Sequence, residues 1–202
     1  MAVYTSNNDI RVFNMIDNYI YLYHVGKFIV LPSYPDTIQD SMPVTYTSSS
    51  PLGRSAPIYS YSSSGPRTIQ FSFTLHRDLM KQLNYGVSNI QVADMGLNDD
   101  YVDTMIKYLQ AMVVPSYEDS SKMINPPIIA LKFGTDIFIK GIINGSVGLT
   151  YKPPILSNGK YAIVDVSFGI TEIDPFDAKE ILQVGSYRGI STSLDRKIYN
   201  RT

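Results

Sequence analysis

The chain has 202 residues, of which 44% are hydrophobic and only 17% are charged, and its formal net charge is -1. Without clustered Lys and Arg to neutralise phosphates, nucleic-acid binding by this chain alone is not expected, and the lack of cysteine excludes disulfides and thiolate metal sites. The first residues lack a secretory signal pattern and no apolar run approaches about 18 residues, so we expect synthesis in the cytoplasm and no membrane span.

The first part of the chain predicts β-structure followed by a polar insertion. Residues 19–31, YIYLYHVGKFIVL, are rich in β-formers and are typical of a strand pair, or of one strand broken near Gly26. Residues 44–66 are dominated by Ser, with Pro, Gly, Thr and Tyr between. Because this composition does not sustain a packed core by itself, it predicts a loop.

From Arg67 onward, apolar and polar residues alternate. Ile69, Phe71, Phe73 and Leu75 fall on one side of an extended chain, and polar residues take the other side. A period of two over about eight residues predicts a strand. We expect its apolar face to lie in the core.

Residues 99–113 predict an amphipathic helix. Apolar residues recur at helical spacing, Asn98 is the expected N-cap, acidic residues occupy the first turn, and Pro115 ends the helix. An apolar stripe of this kind is typical of a helix that packs on a sheet.

The remainder of the chain predicts further strands and then a polar arm. The segments IIALKFG, DIFIKGIING, SVGLTY and KYAIVDVSFGITEI are extended and separated by short breaks, which fit antiparallel connections. The Asn-Gly pair at residues 158–159 is typical of a tight hairpin turn. Residues 176–202 return to polar composition with basic ends, and a short last helix could begin at Pro175.

No constellation of residues points to catalysis. His76 could be combined with Asp78 and one of many serines into a triad, but abundant serine makes such a partner inevitable and no Gly-x-Ser-x-Gly elbow is present. Asp99 and Asp103 share one helix face, where the helix dipole already explains acidic residues. Phosphate-binding and calcium-binding loop patterns are missing as well. We therefore expect no catalytic, cofactor-binding or metal site, and no enzyme activity.

The order and spacing of the later segments resemble a known family. A helix containing YVDTMIKYLQAMVVPSYE is followed by PPIIALKFG, IFIKGIINGSVGLTYKPPI and GKYAIVDVSFGITEIDPFD. This succession is similar to the tube-like module of baseplate and hub proteins in contractile phage tails and related contractile injection systems. The upstream segment PLGRSAPIYSYSSSGPRTIQFSFTLHRD also looks like segments of this group. A LysM domain, which family members often append, is not evident after residue 175.

The resemblance implies a mainly β (α+β) fold, a tail-tube-like antiparallel β-sandwich or partly rolled barrel with one flanking α-helix and long loops. We expect residues 1–175 to form a single domain that contains the loop 44–66 and the helix 99–113, and residues 176–202 to form a C-terminal arm. The implied function is structural, in a ring of copies that joins the tail tube to the central hub of the virion. Sixfold symmetry is implied, threefold is the alternative, and the implied partners are tail-tube, hub and baseplate wedge proteins, with no cofactor.

In such a ring, we expect the polar loop to be ordered by a neighbouring molecule. Arg54 in this loop and Arg67 directly after it would pair with acids of that neighbour, and Tyr59 and Tyr61 would share one side and supply contact area. The candidate interface residues, including two in the arm, are Arg54, Tyr59, Tyr61, Arg67, Tyr187 and Arg188. Two other functions stay open: a β-sandwich that binds a host receptor or carbohydrate through exposed aromatic residues, and a serine hydrolase that uses His76.

Overall fold

The computed structural model describes residues 18–31, 35, 37–79, 100–117, 124–134, 137–174 and 177–183. The strands are β1 (Tyr19–Leu22), β2 (Lys27–Val30), β3 (Thr37–Ser41), β4 (Val44–Ser49), β5 (Ile58–Ser64), β6 (Thr68–His76), β7 (Ser116–Tyr117), β8 (Ile124–Asn125), β9 (Ile129–Phe133), β10 (Ile137–Ile155) and β11 (Tyr161–Glu172). The helices with both ends in these residues are α1 (Tyr101–Ala111) and α2 (Ala178–Gln183), and residues 77–79, directly after β6, are helical as well.

Seven strands form one antiparallel sheet in the order β2-β1-β9-β10-β11-β6-β3. The alternating segment after Arg67 is strand β6, and its apolar side is buried as expected. The Asn158–Gly159 pair lies in the tight turn between β10 and β11, where Gly159 has a φ of 79°. The predictions of a mainly β fold, antiparallel connections and a flanking helix are confirmed.

The sheet is curled toward its apolar face. Phe71 on β6 and Phe133 on β9 are three strand spacings apart, which is about 14 Å in a flat sheet. Their ring centroids nevertheless lie only 5.4 Å from each other. Because side chains stand roughly perpendicular to a sheet, this short distance between two rings of one core cluster indicates that the sheet bends between their strands. A partly rolled sheet follows from this geometry.

Helix α1 closes the concave side of the curled sheet. The Tyr101 hydroxyl donates to the Val30 carbonyl on β2, while the neighbouring Asp100 pairs with Arg77 at the end of β6. Strands β2 and β6 are five spacings apart in the sheet order, about 24 Å if the sheet were flat. The consecutive residues Asp100 and Tyr101 at the start of the helix therefore connect two distant parts of the sheet. The buried stripe of the helix comprises Tyr101, Val102, Met105, Ile106 and Leu109.

The predicted helix is confirmed, but the expected N-cap is wrong. The cap is Asp100, whose carboxylate accepts a hydrogen bond from the Val102 amide at 2.9 Å. Asp and Asn cap equally well, and the ion pair with Arg77 gives Asp100 a second anchor at this position. Asn98 lies outside the described residues.

None of the helices in the described part of the chain is long and apolar enough to cross a membrane.

The expected loop at residues 44–66 is instead largely a β-hairpin. Strands β4 and β5 pair antiparallel from Val44 opposite Ser64 to Ser49 opposite Ile58. The loop prediction rested on the low apolar content, which does indicate the lack of a core. A hairpin, however, satisfies its backbone by pairing, and Val, Ile, Thr and Tyr favour extended chain even among serines. We call residues 44–64 the ribbon.

Candidate assembly surface

The ribbon joins the main sheet through a short neck. Strand β3 ends opposite the start of β6, with Ser41 paired to Thr68, so the ribbon strands continue the β3–β6 pair. Across the neck, the Gly65 amide donates to the Pro43 carbonyl at 2.9 Å. A Cβ atom at Gly65 would lie 2.6 Å from Cγ of Pro43. The neck therefore requires glycine at this position.

Arg67 lies at the base of the ribbon and pairs within its own chain. Its Nε and Nη2 atoms donate to the Asp40 carboxylate at 2.9 Å and 2.6 Å, and Nη1 donates to the Phe138 carbonyl at 3.4 Å. The hydrogen bond to Asp40 raises the pKa of Arg67, although burial opposes it. The side chain is only 8% exposed. The expectation that Arg67 pairs with an acid of a neighbour is therefore wrong, because the pairing of β3 with β6 brings Asp40 to it.

One face of the ribbon carries an exposed row of tyrosines. Tyr46 is opposite Tyr61 and Ser48 is opposite Tyr59, and residues opposite each other in a strand pair point to the same face. The Tyr46 and Tyr61 rings pack edge to face with centroids 5.8 Å apart. Tyr59 and Tyr61 share this face, as their spacing suggested, and are 66% and 59% exposed. They are available to a second molecule.

The ribbon makes no strand pairs with the rest of the described chain. Strands β4 and β5 form a separate two-stranded sheet, and every one of their residues is exposed. The ribbon contains a single charged residue, Arg54, at its exposed tip. Exposed edges in monomeric proteins usually carry several charges, which discourage pairing, and an isolated hairpin is marginally stable in water. An uncharged aromatic hairpin is typical of an interface.

A second unpaired edge runs along β10. Strand β9 pairs with β10 only over Ile137–Gly141, whereas β11 follows β10 as far as Ile155. Along residues 142–152, the side of β10 away from β11 has no strand partner among the residues that the structure describes. Ile142 and Tyr151 are exposed apolar side chains on this stretch. Such an edge offers free backbone donors and acceptors to another strand.

Among the residues that the structure describes, the largest cluster of charges lies at the start of α1 and has a structural role. Buried Arg77 donates from Nη1 to Asp100 at 2.8 Å, from Nη2 to Asp103 at 2.7 Å and from Nε to the Tyr161 carbonyl at 2.7 Å, and Lys160 also pairs with Asp103. Burial opposes the ionisation of Asp103, but hydrogen bonds from Lys160 and Arg77 outweigh it and lower the pKa of the carboxyl. The cluster ties the helix to the ends of β6 and β11.

Acid is expected to weaken this attachment. The folded-state pKa of Asp103 lies below its unfolded value of about 3.9, so its stabilising effect is complete above about pH 4 and is lost as the pH falls through the folded value. Thermal unfolding followed between about pH 7 and about pH 2 should show a falling midpoint in this acid range. Asp103→Asn should lower the midpoint at neutral pH and flatten the acid dependence. The control Asp174→Asn removes the wider 3.8 Å pair with Lys140 and should leave the acid dependence of the unfolding midpoint as it is in the wild type. An unchanged acid dependence in Asp103→Asn would contradict this account.

His76 lies exposed at the end of β6, near Asp165 on β11. The Asp165 carboxylate pairs with Lys152 and accepts a hydrogen bond from the Thr74 hydroxyl at 3.0 Å. The hydrogen bond from Lys152 is the main cause of the lowered pKa of Asp165, Thr74 adds to it, and burial opposes it. This carboxylate is thus engaged by Lys152 and Thr74 instead of orienting the imidazole.

The arm is described only at its start. Helix α2 is the short helix expected after Pro175. Tyr187 and Arg188, the two candidate interface residues of the arm, lie outside the described residues.

The described surface offers two features suited to association with other molecules. No protein-family model matches the chain, and no curated protein sequence is significantly similar to it. The features available are therefore the ribbon with its tyrosine row and the open edge of β10.

Proposed function

We propose that this chain is a structural virion protein of a contractile phage tail, a ring-forming subunit of the baseplate that joins the tail tube to the central hub. The observation that carries the proposal is the ribbon, a fully exposed and nearly uncharged hairpin whose tyrosine face has no cover in the described chain. The order of the sequence segments, similar to that of the tube-like modules, supplies the biological setting.

The proposed mechanism is mechanical. Each copy has surfaces that lack a partner, the ribbon and the edge of β10, and copies arranged around an axis would cover them for one another. Each backbone hydrogen bond gained at an edge adds on the order of 1 kcal/mol. Closing the ring removes the open edges that would otherwise promote uncontrolled association.

Internal ion pairs suit such a subunit, because they hold its parts in fixed positions. The Arg67–Asp40 pair fixes the base of the ribbon, and Arg77 fixes the start of α1 against the sheet. The partners of the proposed ring subunit would be other copies of this chain, tail-tube and hub proteins, and baseplate wedge proteins. No cofactor enters this role.

Electron microscopy of the purified chain at increasing concentration tests the proposal. We expect rings, sixfold or threefold, whose population grows with concentration, and we expect the chain at the baseplate in reconstructions of the tailed particle. A chain that remains monomeric at every concentration and is missing from purified particles would contradict the proposal.

Carbohydrate binding is the second candidate, favoured by the exposed rings of Tyr46, Tyr59 and Tyr61 among serine hydroxyls. Aromatic faces with nearby hydroxyls suit sugar rings. Binding of the purified chain to bacterial surface glycans, lost in Tyr59→Ala and retained in Thr47→Ala on the opposite ribbon face, would favour this function over ring formation.

A further inference from the structure

The tip of the ribbon presents one cation beside one apolar side chain. The turn Pro51–Arg54 is closed by a hydrogen bond from the Arg54 amide to the Pro51 carbonyl at 3.3 Å, and Gly53 has a φ of 88°, as a type II turn requires at its third residue. Leu52 is fully exposed and Arg54 is exposed. The Arg54 side chain has no ion pair or hydrogen bond among the described residues.

Among the acidic residues whose side chains the structure describes, Asp78 alone has no such partner. The other acidic side chains that the structure describes are engaged, in ion pairs or in other interactions: Asp40, Asp100, Asp103, Asp165, Asp174, Glu172 and Asp177. Asp78 is exposed and is followed by Leu79, which is also exposed. An acid next to a leucine is the chemical complement of the ribbon tip.

These two features lie at opposite ends of strand β6. The ribbon enters β6 at Thr68, whereas Asp78 follows His76 at the other end. At about 3.3 Å per residue, the two ends are about 26 Å apart. The tip lies beyond the neck at the Thr68 end, so its contact with Asp78 has to be made between two copies. A contact between different surfaces of identical copies is head to tail, and it forms a closed ring when the rotation permits.

Each side of this contact is connected to an internal ion pair of its own copy. Asp78 directly follows Arg77, whose guanidinium is fixed by Asp100 and Asp103. The base of the ribbon is held by the pair between Arg67 and Asp40. Elements that are already ordered lose less conformational entropy when they associate.

We infer that the ribbon tip of one copy docks on the helical residues Asp78 and Leu79 that follow β6 in the next copy, with Arg54 paired to Asp78 and Leu52 packed against Leu79. This inference rests on the proposed function, because it specifies the contact by which successive ring subunits join. The partner is thus a second copy of this chain, and the contact involves a single ion pair beside an apolar one.

Charge exchange tests the contact. Arg54→Glu and Asp78→Arg should each raise the concentration for half-assembly, measured by sedimentation velocity, by about tenfold or more, since like charges then face each other. The double variant Arg54→Glu/Asp78→Arg should return it to within about threefold of the wild type. Lys107→Glu changes the net charge as Arg54→Glu does, at an exposed position on α1, and should leave assembly unchanged. Thermal unfolding verifies that each variant is folded.

The outcomes separate the contact from the proposed function. If the wild type forms rings and both single variants assemble equally well, the tip contact is overturned and the ring function stands. If the single variants assemble poorly and the double variant does not recover, the pairing of Arg54 with Asp78 is overturned. If the wild-type chain does not associate at all, the contact and the proposed function both fail.

Discussion

Phe71→Ala is expected to lower the free energy of unfolding by about 3 to 5 kcal/mol, as large aromatic truncations in cores do. Phe71 is only 4% exposed, and its ring centroid lies 4.0 Å from that of Phe168, 5.4 Å from that of Phe133 and 6.4 Å from that of Phe73. These rings come from three strands at the inside of the curled sheet. Because the paired backbones hold the strands in place, the surroundings cannot collapse fully into the cavity.

Chemical denaturation monitored by circular dichroism, at a protein concentration where the chain is monomeric, measures this loss. Phe71→Leu is the matched control, since it keeps most of the apolar volume and should cost less than about 1.5 kcal/mol. A loss below about 1 kcal/mol for Phe71→Ala would mean that this face of β6 is not part of the core.

Replacement of the ribbon is expected to separate assembly from folding. A variant in which an Asn-Gly turn connects Pro43 directly to Gly65 should lose assembly completely, while its free energy of unfolding stays within about 1 kcal/mol of the wild type. The ribbon strands pair only with each other, and none of their residues is buried. The hydrogen bond between Gly65 and Pro43 already closes the neck, so the shortened hairpin keeps the β3–β6 pair.

Sedimentation velocity and thermal unfolding report the two properties separately. Two double variants refine the result: Tyr59→Ser/Tyr61→Ser removes the tyrosine row and should weaken assembly, whereas Thr47→Ala/Ser60→Ala, on the opposite face, should not. Normal ring formation by the shortened chain would rule out a role for the ribbon. Unfolding of the shortened chain would mean that the ribbon belongs to the folding unit.

Elements that bury a regular stripe could be predicted from the sequence. The alternation through Phe71 and Phe73 defines β6, and the spacing of Met105 and Leu109 defines α1, because burial leaves a periodic trace. The ribbon leaves no such trace, since neither of its faces is buried in the chain. Its order comes from backbone pairing, which residue composition does not record.

The candidate assembly surface was only partly predictable. Tyr59 and Tyr61 could be chosen because a large aromatic residue is unusual in a polar segment. The pairing of Arg67 with Asp40 depends on the register of β3 against β6, a contact far apart in sequence that no local pattern contains. The edge of β10 was hidden because two expected segments, joined through a bulge that contains Gly145, form one strand. The edge is open because β9 begins at Ile129, opposite Gly141, and does not reach the later residues of β10.

The neck at Gly65 and Pro43 also determines where the ribbon tip points. A Cβ atom at residue 65 would lie 2.6 Å from Cγ of Pro43, so either the Pro43 ring or the direction of the hairpin would have to shift. Over a lever arm of about 25 Å, a tilt of about 10° displaces the far end by about 4 Å, which exceeds the length of a hydrogen bond. If the hairpin is the part that shifts, a single methyl group at the pivot would leave every strand intact and still misdirect the distant guanidinium of Arg54.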